Sequence, residues 1–520
     1  MQPSVKYGIL WIILPTRVNY TKEKIAEWVA KKLYRILRRY TIPMIKFIES
    51  VLLCFRSCFS RGATFKWFVT IVVGMMVRQD NYGVTSVIRA LSLKPSYEPL
   101  IRFFRSSSFK IRDLMCKWAE IVANNALGIV RVGDAAVLTG DGIKIPKEGR
   151  RMPGVKRLHQ ESENTTKAEY IFGQLFGCVG VLTEWGKKTF CIPLACELQD
   201  GVKEIMSWTE NIRRASQTVE MISLAHRLTR IFPKAILLLD RYYLTTPALE
   251  RLDALNVGGG DLRAIIMAKS NATAYNLPEV HKPGVRGRPK VKGASVRLAD
   301  LFSTEASNFV SAAVVLYGEK ENIQYLAKDL LWGKGLHRLM RFVLVEYGGR
   351  RAIIASTDTT IDPLDIVILY AKRFSIECTF KAMKHDVAAF AYHFWTKYMP
   401  KLNRFEKTGA PDRVTKVKSD RAKEYIRKAL DATEAYVFCG VVATGLLQML
   451  SFRDAKYNEM KKTRYQRTPS RTVASEAIVS DYLVKSVFWH MGKEPGLTIS
   501  KIIREKMDMK MDDFRLVKAS

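Results

Sequence analysis

Cysteine and histidine, the residues that most often bind zinc, are scarce in this sequence, and none of them have the spacing of a zinc site. Among 520 residues there are eight cysteines and seven histidines. No Cys-x2-Cys pair occurs, and no Cys/His cluster has the spacing of a zinc finger, which excludes that class of DNA-binding domain. Scattered cysteines of this kind are typical of reduced, mostly buried thiols, so we expect a cytoplasmic protein.

The sequence also lacks a hydrophobic run typical of a membrane span. The apolar stretch at 7–15 is too short to cross a bilayer, and no convincing signal-peptide cleavage site accompanies it. The uncharged stretch from Ala435 to Phe452 is longer, but small and polar residues interrupt it at 440, 444, 445, 448 and 451. We therefore predict a buried core helix there and no transmembrane segment.

Acidic residues are few relative to basic ones. Asp and Glu total 50 against 84 Lys and Arg, which gives a net charge of +34. A protein this basic is attracted to polyanions, and nucleic acid is the leading partner, with ribosomal or membrane-surface binding as the alternative. A basic composition predicts affinity for nucleic acid and a dependence of that affinity on salt, but it does not predict which nucleic-acid sequence is bound.

The chain alternates between helical and strand patterns, and its length predicts two to four folding units. Residues 1–125 have helical periodicity with interleaved aromatic and basic residues, but no clear helix-turn-helix pattern. From about residue 126, strands are followed by an amphipathic helix at 216–231 and another strand, which predicts an α/β fold. Further β-type runs lie at 308–317, 323–327, 341–347 and 351–356, with hairpin turns at 318–322 and 348–349.

One predicted helix concentrates chemically useful side chains. Residues 370–384 contain no Pro or Gly, and Pro363 suits a helix start. At roughly 100° per residue, Tyr370, Arg373, Glu377 and Lys384 fall within one arc of roughly 60°. The residues outside that arc, predicted to pack into the core, are Phe374, Ile376 and Phe380. The stripe is either a solvated, salt-bridged face or a metal-binding carboxylate flanked by phosphate-binding groups.

Two aspartates end apolar runs upstream of this stripe. Asp141 follows the run that starts at Ala135 and lies between two glycines, and Asp240 ends the run that starts at Lys234. Two strand-borne aspartates and the helix-borne Glu377 can bind two hard divalent cations, as in-line phosphoryl transfer requires. The expected cofactor is Mg²⁺, with Mn²⁺ as a substitute.

Asp141, Asp240 and Glu377, together with the Tyr370-x2-Arg373-x3-Glu377-x6-Lys384 spacing, resemble the DDE transposases of bacterial insertion sequences. The segment 350–358 and the Asp240-Arg-Tyr-Tyr run resemble the same family, and the likeness extends roughly from Trp67 to Arg453. The four-residue signature is specific, whereas each aspartate alone is not.

The resemblance implies an RNase H-like catalytic core interrupted by a mainly β insertion domain, with a helical N-terminal domain and a helical C-terminal tail. The corresponding divisions are a basic DNA-binding or dimerisation region at 1–125, core parts at 126–255 and 356–455, an insertion at 256–355 and a basic C-terminal region at 456–520.

The implied activity is metal-dependent cleavage at the ends of an insertion sequence and transfer of the 3′-OH into target DNA. Asp141 is expected to bridge both metals, with Asp240 binding one and Glu377 the other. Tyr370, Arg373 and Lys384 are expected to hold phosphates of the transferred end. Many relatives have His where Gln174 stands, so that position receives no catalytic role.

Other basic residues are predicted to contact DNA. Lys144 and Lys147 follow Asp141 in a loop rich in cations, and Arg286, Arg288 and Lys290 lie in a Gly/Pro-containing stretch. A solvated surface loop is the alternative for both groups. The expected partners are double-stranded DNA, both terminal repeats and target, and a second copy of the chain in the DNA-bound complex, in a cytoplasmic, nucleoid-associated setting. A catalytically silent DNA-binding derivative and a non-transposing RNase H-like nuclease remain alternatives.

Overall fold

The computed structural model describes residues 44–160, 168–208, 216–279, 288–405, 411–453, 473–493 and 496–508. It shows a mixed α/β protein, as the alternating sequence pattern predicts. Arg286, residues 1–43 of the predicted N-terminal region, and residues 456–472 and 509–520 of the predicted basic C-terminal region lie outside the described residues.

Five adjacent strands form the part of the sheet around Asp141 and Asp240. They are β2 (Ala135–Pro146), β4 (Tyr170–Trp185), β5 (Lys188–Leu198), β6 (Lys234–Leu239) and β7 (Asp261–Met267). Their order across the sheet is β5-β4-β2-β6-β7. The pairs β5–β4 and β4–β2 are antiparallel, whereas β2–β6 and β6–β7 are parallel. Short strands β1 (Arg131–Val132) and β3 (Lys156–His159) pair with β2 and β4.

The parallel strands are joined by helical crossovers. Helix α6 (Gln217–Arg227) precedes β6, and α7 (Thr246–Val257) connects β6 to β7. The predicted insertion begins at residue 256, and β7, which starts at Asp261, pairs in parallel with β6. The glycines at 258–260 therefore form the turn between a crossover helix and its second strand, because a parallel pair requires such a return.

The segment that follows is mainly β, as predicted, and extends the same sheet. Its strands are β8 (Thr273–Tyr275), β9 (Ser295–Arg297), β10 (Val310–Leu316), β11 (Glu319–Trp332), β12 (Arg338–Tyr347) and β13 (Arg350–Ser356), with a short helix α8 (Leu301–Thr304). The predicted hairpins β10–β11 and β12–β13 are both present. Because β13 pairs with β7, all thirteen strands belong to one sheet.

The helix predicted to carry the functional stripe is divided in two. Helix α9 (Pro363–Lys372) begins at Asp362, whose carboxylate accepts the backbone N–H of Leu364. Helix α10 (Ser375–His385) follows after a two-residue turn. At the break the N–H of Arg373 donates to the carbonyl of Tyr370, three residues back instead of four. Phe374 is 52% exposed there, so the prediction that it packs into the core is wrong, whereas Ile376 and Phe380 are buried as predicted.

Long apolar helices cover one side of this assembly. Helix α11 (Asp420–Arg453) packs against β5 and against α1 (Gly62–Val77). Gly445 lets it approach the ring of Trp118, because an added Cβ would overlap that ring. Of the described helices, α11 is the one long and apolar enough to cross a membrane, and its apolar window is entirely buried within the fold. The predicted core helix at 435–452 is thus confirmed as a buried element.

The terminal helices complete the core. The remaining N-terminal helices are α2 (Ser86–Ala90), α3 (Glu98–Phe104) and α4 (Ile111–Asn125), and the C-terminal ones are α12 (Glu476–Lys493) and α13 (Thr498–Arg504). A short helix, α5 (Lys203–Ser207), lies in mid-chain before the α6 crossover. Helix α1 is buried on every side from Phe68 to Val77, so this part of it is a core element. Helices α12 and α13 pack on α1, and they therefore belong to the core instead of forming a separate tail.

Candidate active site

Two carboxylates meet at the carboxyl ends of parallel strands. In the β2–β6 pair, Thr139 lies opposite Leu238, and Asp141 and Asp240 each follow two residues later. The register therefore places the two aspartates side by side at one edge of the sheet. The Asp240 carboxylate also accepts the backbone N–H of Tyr242 at 2.9 Å, which fixes the turn after β6.

Arg373 joins the third carboxylate to the first. Its Nη1 donates to Oδ2 of Asp141 at 3.1 Å, and its Nη2 donates to Oε1 of Glu377 at 2.9 Å. Asp141 and Glu377 are thus separated by a single guanidinium group. The helix break contributes to this geometry, because Arg373 stands in the turn from which it reaches back to β2 while Glu377 occupies the first turn of α10.

Crowded negative charge at this site shifts the pKa values of two side chains. Burial, with further contributions from Asp240 and Glu377, raises the pKa of Asp141 to about 6 despite the nearby Arg373. Burial raises the pKa of Tyr370 to about 12, with Asp240 and Asp141 acting in the same direction. The charge of Asp240 thus raises the pKa of both Asp141 and Tyr370, which indicates that the three side chains lie close together.

The metal predicted for this site requires a more open arrangement than the one seen. Among the described residues, no three His, Cys, Asp or Glu side chains are grouped closely enough to hold a metal ion. The Arg373 guanidinium lies between two of the three predicted ligands, Asp141 and Glu377. The donor set still fits a hard divalent cation, because mutual repulsion of the carboxylates is relieved by added positive charge.

The other two members of the predicted stripe differ in their surroundings. The Tyr370 ring centroid lies 6.0 Å from the Arg373 guanidinium, so Tyr370 belongs to the same cluster. Lys384 is exposed on α10, seven residues or about two turns beyond Glu377. The structure therefore gathers Tyr370, Arg373 and Glu377 tightly and leaves Lys384 at the outer end of the same helix.

The position of Lys147 contradicts the prediction made from the sequence. It was predicted to contact DNA, but the side chain is buried, with 6% of its surface exposed. Its ammonium donates to the carbonyls of Phe390 and Tyr392 at 2.6 and 2.9 Å and lies 3.7 Å from the Tyr392 ring centroid. Burial lowers the pKa of Lys147 to about 7, whereas the two carbonyls and the ring favour the charged form. Lys147 therefore anchors the segment after α10.

Lys144, Arg288 and Lys290, also predicted to contact DNA, are accessible. Lys144 is partly exposed and donates to the backbone carbonyl of His159 at 2.7 Å. Arg288 and Lys290 are exposed, and Arg286 lies outside the described residues. Gln174 is fully buried between the Tyr392 hydroxyl and the Pro153 carbonyl, so its contacts are structural.

Tyr243 belongs to this site, although the sequence analysis did not single it out. It is buried, its hydroxyl lies near Gly142, and Asp141 and Asp240 both add to the effect of burial in raising its pKa. The Asp240-Arg-Tyr-Tyr run contained the signal, because alternate residues of a turn after a strand can point back to the strand end.

Replacement of Arg373 tests its bridging role. Arg373→Ala is expected to lower the free energy of unfolding by about 2 kcal/mol, because two charge-assisted hydrogen bonds are lost and three carboxylates are left uncompensated. Urea unfolding measures this loss, with Arg351→Ala as the control because the Arg351–Glu346 pair is exposed and should contribute under about 1 kcal/mol. Equal stability of both variants would contradict the bridging role.

Replacement of Lys147 tests whether this side chain anchors the segment after α10 or contacts DNA. Lys147→Met should lower the free energy of unfolding by about 2 kcal/mol, because two buried carbonyls lose their donor. DNA affinity should stay unchanged in filter-binding measurements. Lys144→Met is the matched control and should leave stability within about 0.5 kcal/mol of wild type. A Lys147→Met protein of normal stability and weakened DNA binding would reverse this assignment.

Comparison with known proteins assigns no relative, since no protein-family model and no curated protein matches this chain.

Proposed function

We propose that this chain is a DNA transposase that cleaves phosphodiester bonds at the ends of an insertion sequence and joins the freed 3′-OH to target DNA. The observation that carries the proposal is the cluster of Asp141, Asp240 and Glu377 around Arg373 at one edge of the sheet. If the helix stripe formed only surface salt bridges, it would not need two strand-borne carboxylates beside it. Asp141 and Asp240 lie beside this stripe, which favours the metal-binding alternative.

The strand order supports an RNase H-like core as part of the same proposal. Three antiparallel strands, β5, β4 and β2, are followed by two strands, β6 and β7, that run parallel to β2. The first aspartate lies on the central strand, the second follows its parallel neighbour, and the glutamate comes from a helix packed on the sheet. Side chains placed on rigid elements in this way are held precisely for chemistry.

The cofactor follows from the donor set. Asp141, Asp240 and Glu377 would hold Mg²⁺, which supplies a Lewis acid for phosphoryl oxygen and lowers the pKa of bound water. Carboxylate oxygens are the ligands that this ion prefers, and Mn²⁺ accepts the same set.

The remaining side chains position the DNA. Arg373 would offer a bidentate fork to a phosphate once bound cations replace it between Asp141 and Glu377. Tyr370 offers one hydroxyl, and Lys384 offers a charge further along α10. In the first step a water oxygen forms a bond to phosphorus and the 3′-oxygen leaves as the free 3′-OH. In the second step that 3′-OH forms a bond to a target phosphorus and a target 3′-oxygen leaves. One P–O bond forms and one breaks each time, so no covalent enzyme–DNA link is required.

Cleavage of the encoding DNA tests the proposal directly. The purified chain is incubated with Mg²⁺ and with duplex DNA that contains both boundaries of the segment that encodes it, and cut or joined ends are mapped by sequencing. We expect breaks at discrete positions at these boundaries and joined products that depend on Mg²⁺. Binding without any break would favour a catalytically silent derivative, and breaks without joining would favour a non-transposing nuclease.

A further inference from the structure

A cluster of rings and cations lies on the sheet beyond the candidate active site. Arg157 stacks on the Tyr170 ring, with its guanidinium carbon 3.8 Å from the ring centroid, and Arg404 lies 5.1 Å from the centroid of Phe172. The His159 ring packs edge-on against Tyr170 with centroids 5.2 Å apart. We call these five residues the ring–cation patch.

Strand pairing places this patch on the face that carries Asp141. Asp141 lies directly opposite Cys178 on β4. Because side chains alternate along a strand, the even-numbered Cys178, Phe172 and Tyr170 point to the same side. On β3, the partners of Phe172 and Tyr170 are Arg157 and His159. The patch and Asp141 therefore lie on the same side of the sheet, and the segment of Phe390 and Tyr392 covers Phe176 and Gln174 between them.

The separation between the two sites is set by the strand itself. Tyr170 precedes Cys178 by eight residues, and a strand rises about 3.3 Å per residue, so the patch lies about 26 Å from Asp141. A DNA duplex advances about 3.4 Å per base pair, so this distance corresponds to about eight base pairs.

We propose that the ring–cation patch binds the backbone of the substrate duplex about eight base pairs from the phosphodiester that reacts. This inference rests on the proposed function. The rings hold Arg157 and Arg404 in fixed positions, so little side-chain freedom is lost when the guanidinium groups meet phosphates. Phe172 and Tyr170 are two residues apart, about 7 Å along the strand, which lets both guanidinium groups contact one DNA strand.

The surroundings favour phosphate over a stacked base or an acidic protein. Tyr170 already has Arg157 on its face and His159 on its edge, so its ring supports cations instead of offering a free stacking surface. Lys144 lies beside the patch through its bond to the His159 carbonyl. Two acids already pair with the patch: Glu148 accepts from Arg404 at 3.2 Å, and a Glu169 oxygen lies 3.7 Å from His159 Nε2. Their side chains are 94% and 69% exposed, so solvent screens their charge and a phosphate can compete with them.

Binding to duplexes of two lengths tests the patch. One duplex extends about 20 base pairs past the mapped cleavage position on each side, and the other extends about four, too short to reach the patch. Affinity is measured across a salt series for wild type, Arg157→Gln, the double variant Arg157→Gln/Arg404→Gln, and Lys320→Gln. Lys320 is the matched control, since it is exposed at the β10–β11 hairpin, toward the other end of the sheet from β3. Thermal melting checks that each variant remains folded.

We expect the double variant to bind the long duplex about tenfold more weakly and to lower the salt slope by about two. Its affinity for the short duplex should equal that of wild type, and Lys320→Gln should bind both duplexes normally. Unchanged affinity for the long duplex, or an equal loss on both duplexes, would overturn the patch assignment even if wild type cleaves DNA normally. If wild type cuts nothing, boundary duplexes of the same two lengths are used, and a loss confined to the long one would retain the patch while the proposed function fails.

Discussion

Glu377→Gln is expected to abolish Mg²⁺-dependent cleavage while DNA affinity stays within about twofold of wild type. Disturbing an outer partner of a metal ligand costs about 10–100-fold, so loss of the ligand itself should lower the cleavage rate by more than about 100-fold. The Glu377 side chain is 44% exposed and accepts one bond from Arg373, so the amide can remain in place without unfolding the helix. The basic surface that attracts DNA is unchanged by this substitution.

Glu346→Gln provides a matched control for that experiment. Its side chain is 38% exposed and pairs with Arg351 at 3.3 Å, which closely parallels the Glu377–Arg373 pair. The control should cleave and bind as wild type does. Retained Mg²⁺-dependent cutting by Glu377→Gln, in a preparation free of contaminating nuclease, would remove Glu377 from the site and with it the central part of the proposal.

The convergence of the two aspartates could be predicted from the sequence. Asp141 and Asp240 each end an apolar, strand-like run, and the carboxyl ends of parallel strands meet at one edge of a sheet. Local patterns also located the β strands at 308–356, because alternating residues and glycine turns depend mainly on the neighbouring sequence.

The sequence did not reveal the features that depend on tertiary contacts. No Pro or Gly marks the break between α9 and α10, since Arg373 and Phe374 keep helical backbone angles there. Lys147 looked like one cation among several, and only the carbonyls of Phe390 and Tyr392, more than 240 residues away, make it a buried anchor. The bridging of Asp141 and Glu377 by Arg373 likewise depends on packing across a separation of 232 residues.

The raised pKa of Asp141 gives a second large expected effect. In EDTA at pH 8, Asp141→Asn should raise the free energy of unfolding by about 3 kcal/mol, even though it should also abolish cleavage. The folded-state pKa is about 6 against an ordinary value of 3.8, a difference of about two units. The folded protein therefore binds the proton more tightly than the unfolded chain does. The stability gained from protonation is fully present below about pH 4 and is lost as pH rises through about 6.

The sign of this effect distinguishes it from an ordinary surface change. Asn imitates the neutral acid, so the advantage of Asp141→Asn should shrink as pH falls from 8 and vanish near pH 4. Asp80→Asn is the control of opposite sign, because hydrogen bonds from Arg89 hold the pKa of Asp80 well below its usual range. That variant should be destabilised at pH 8, and its loss should shrink only toward strongly acidic pH. Urea unfolding at several pH values measures both variants. An Asp141→Asn protein that is less stable than wild type at pH 8 would mean that Arg373 outweighs the repulsion from Asp240 and Glu377, so the three carboxylates would not form the crowded cluster on which a metal site depends.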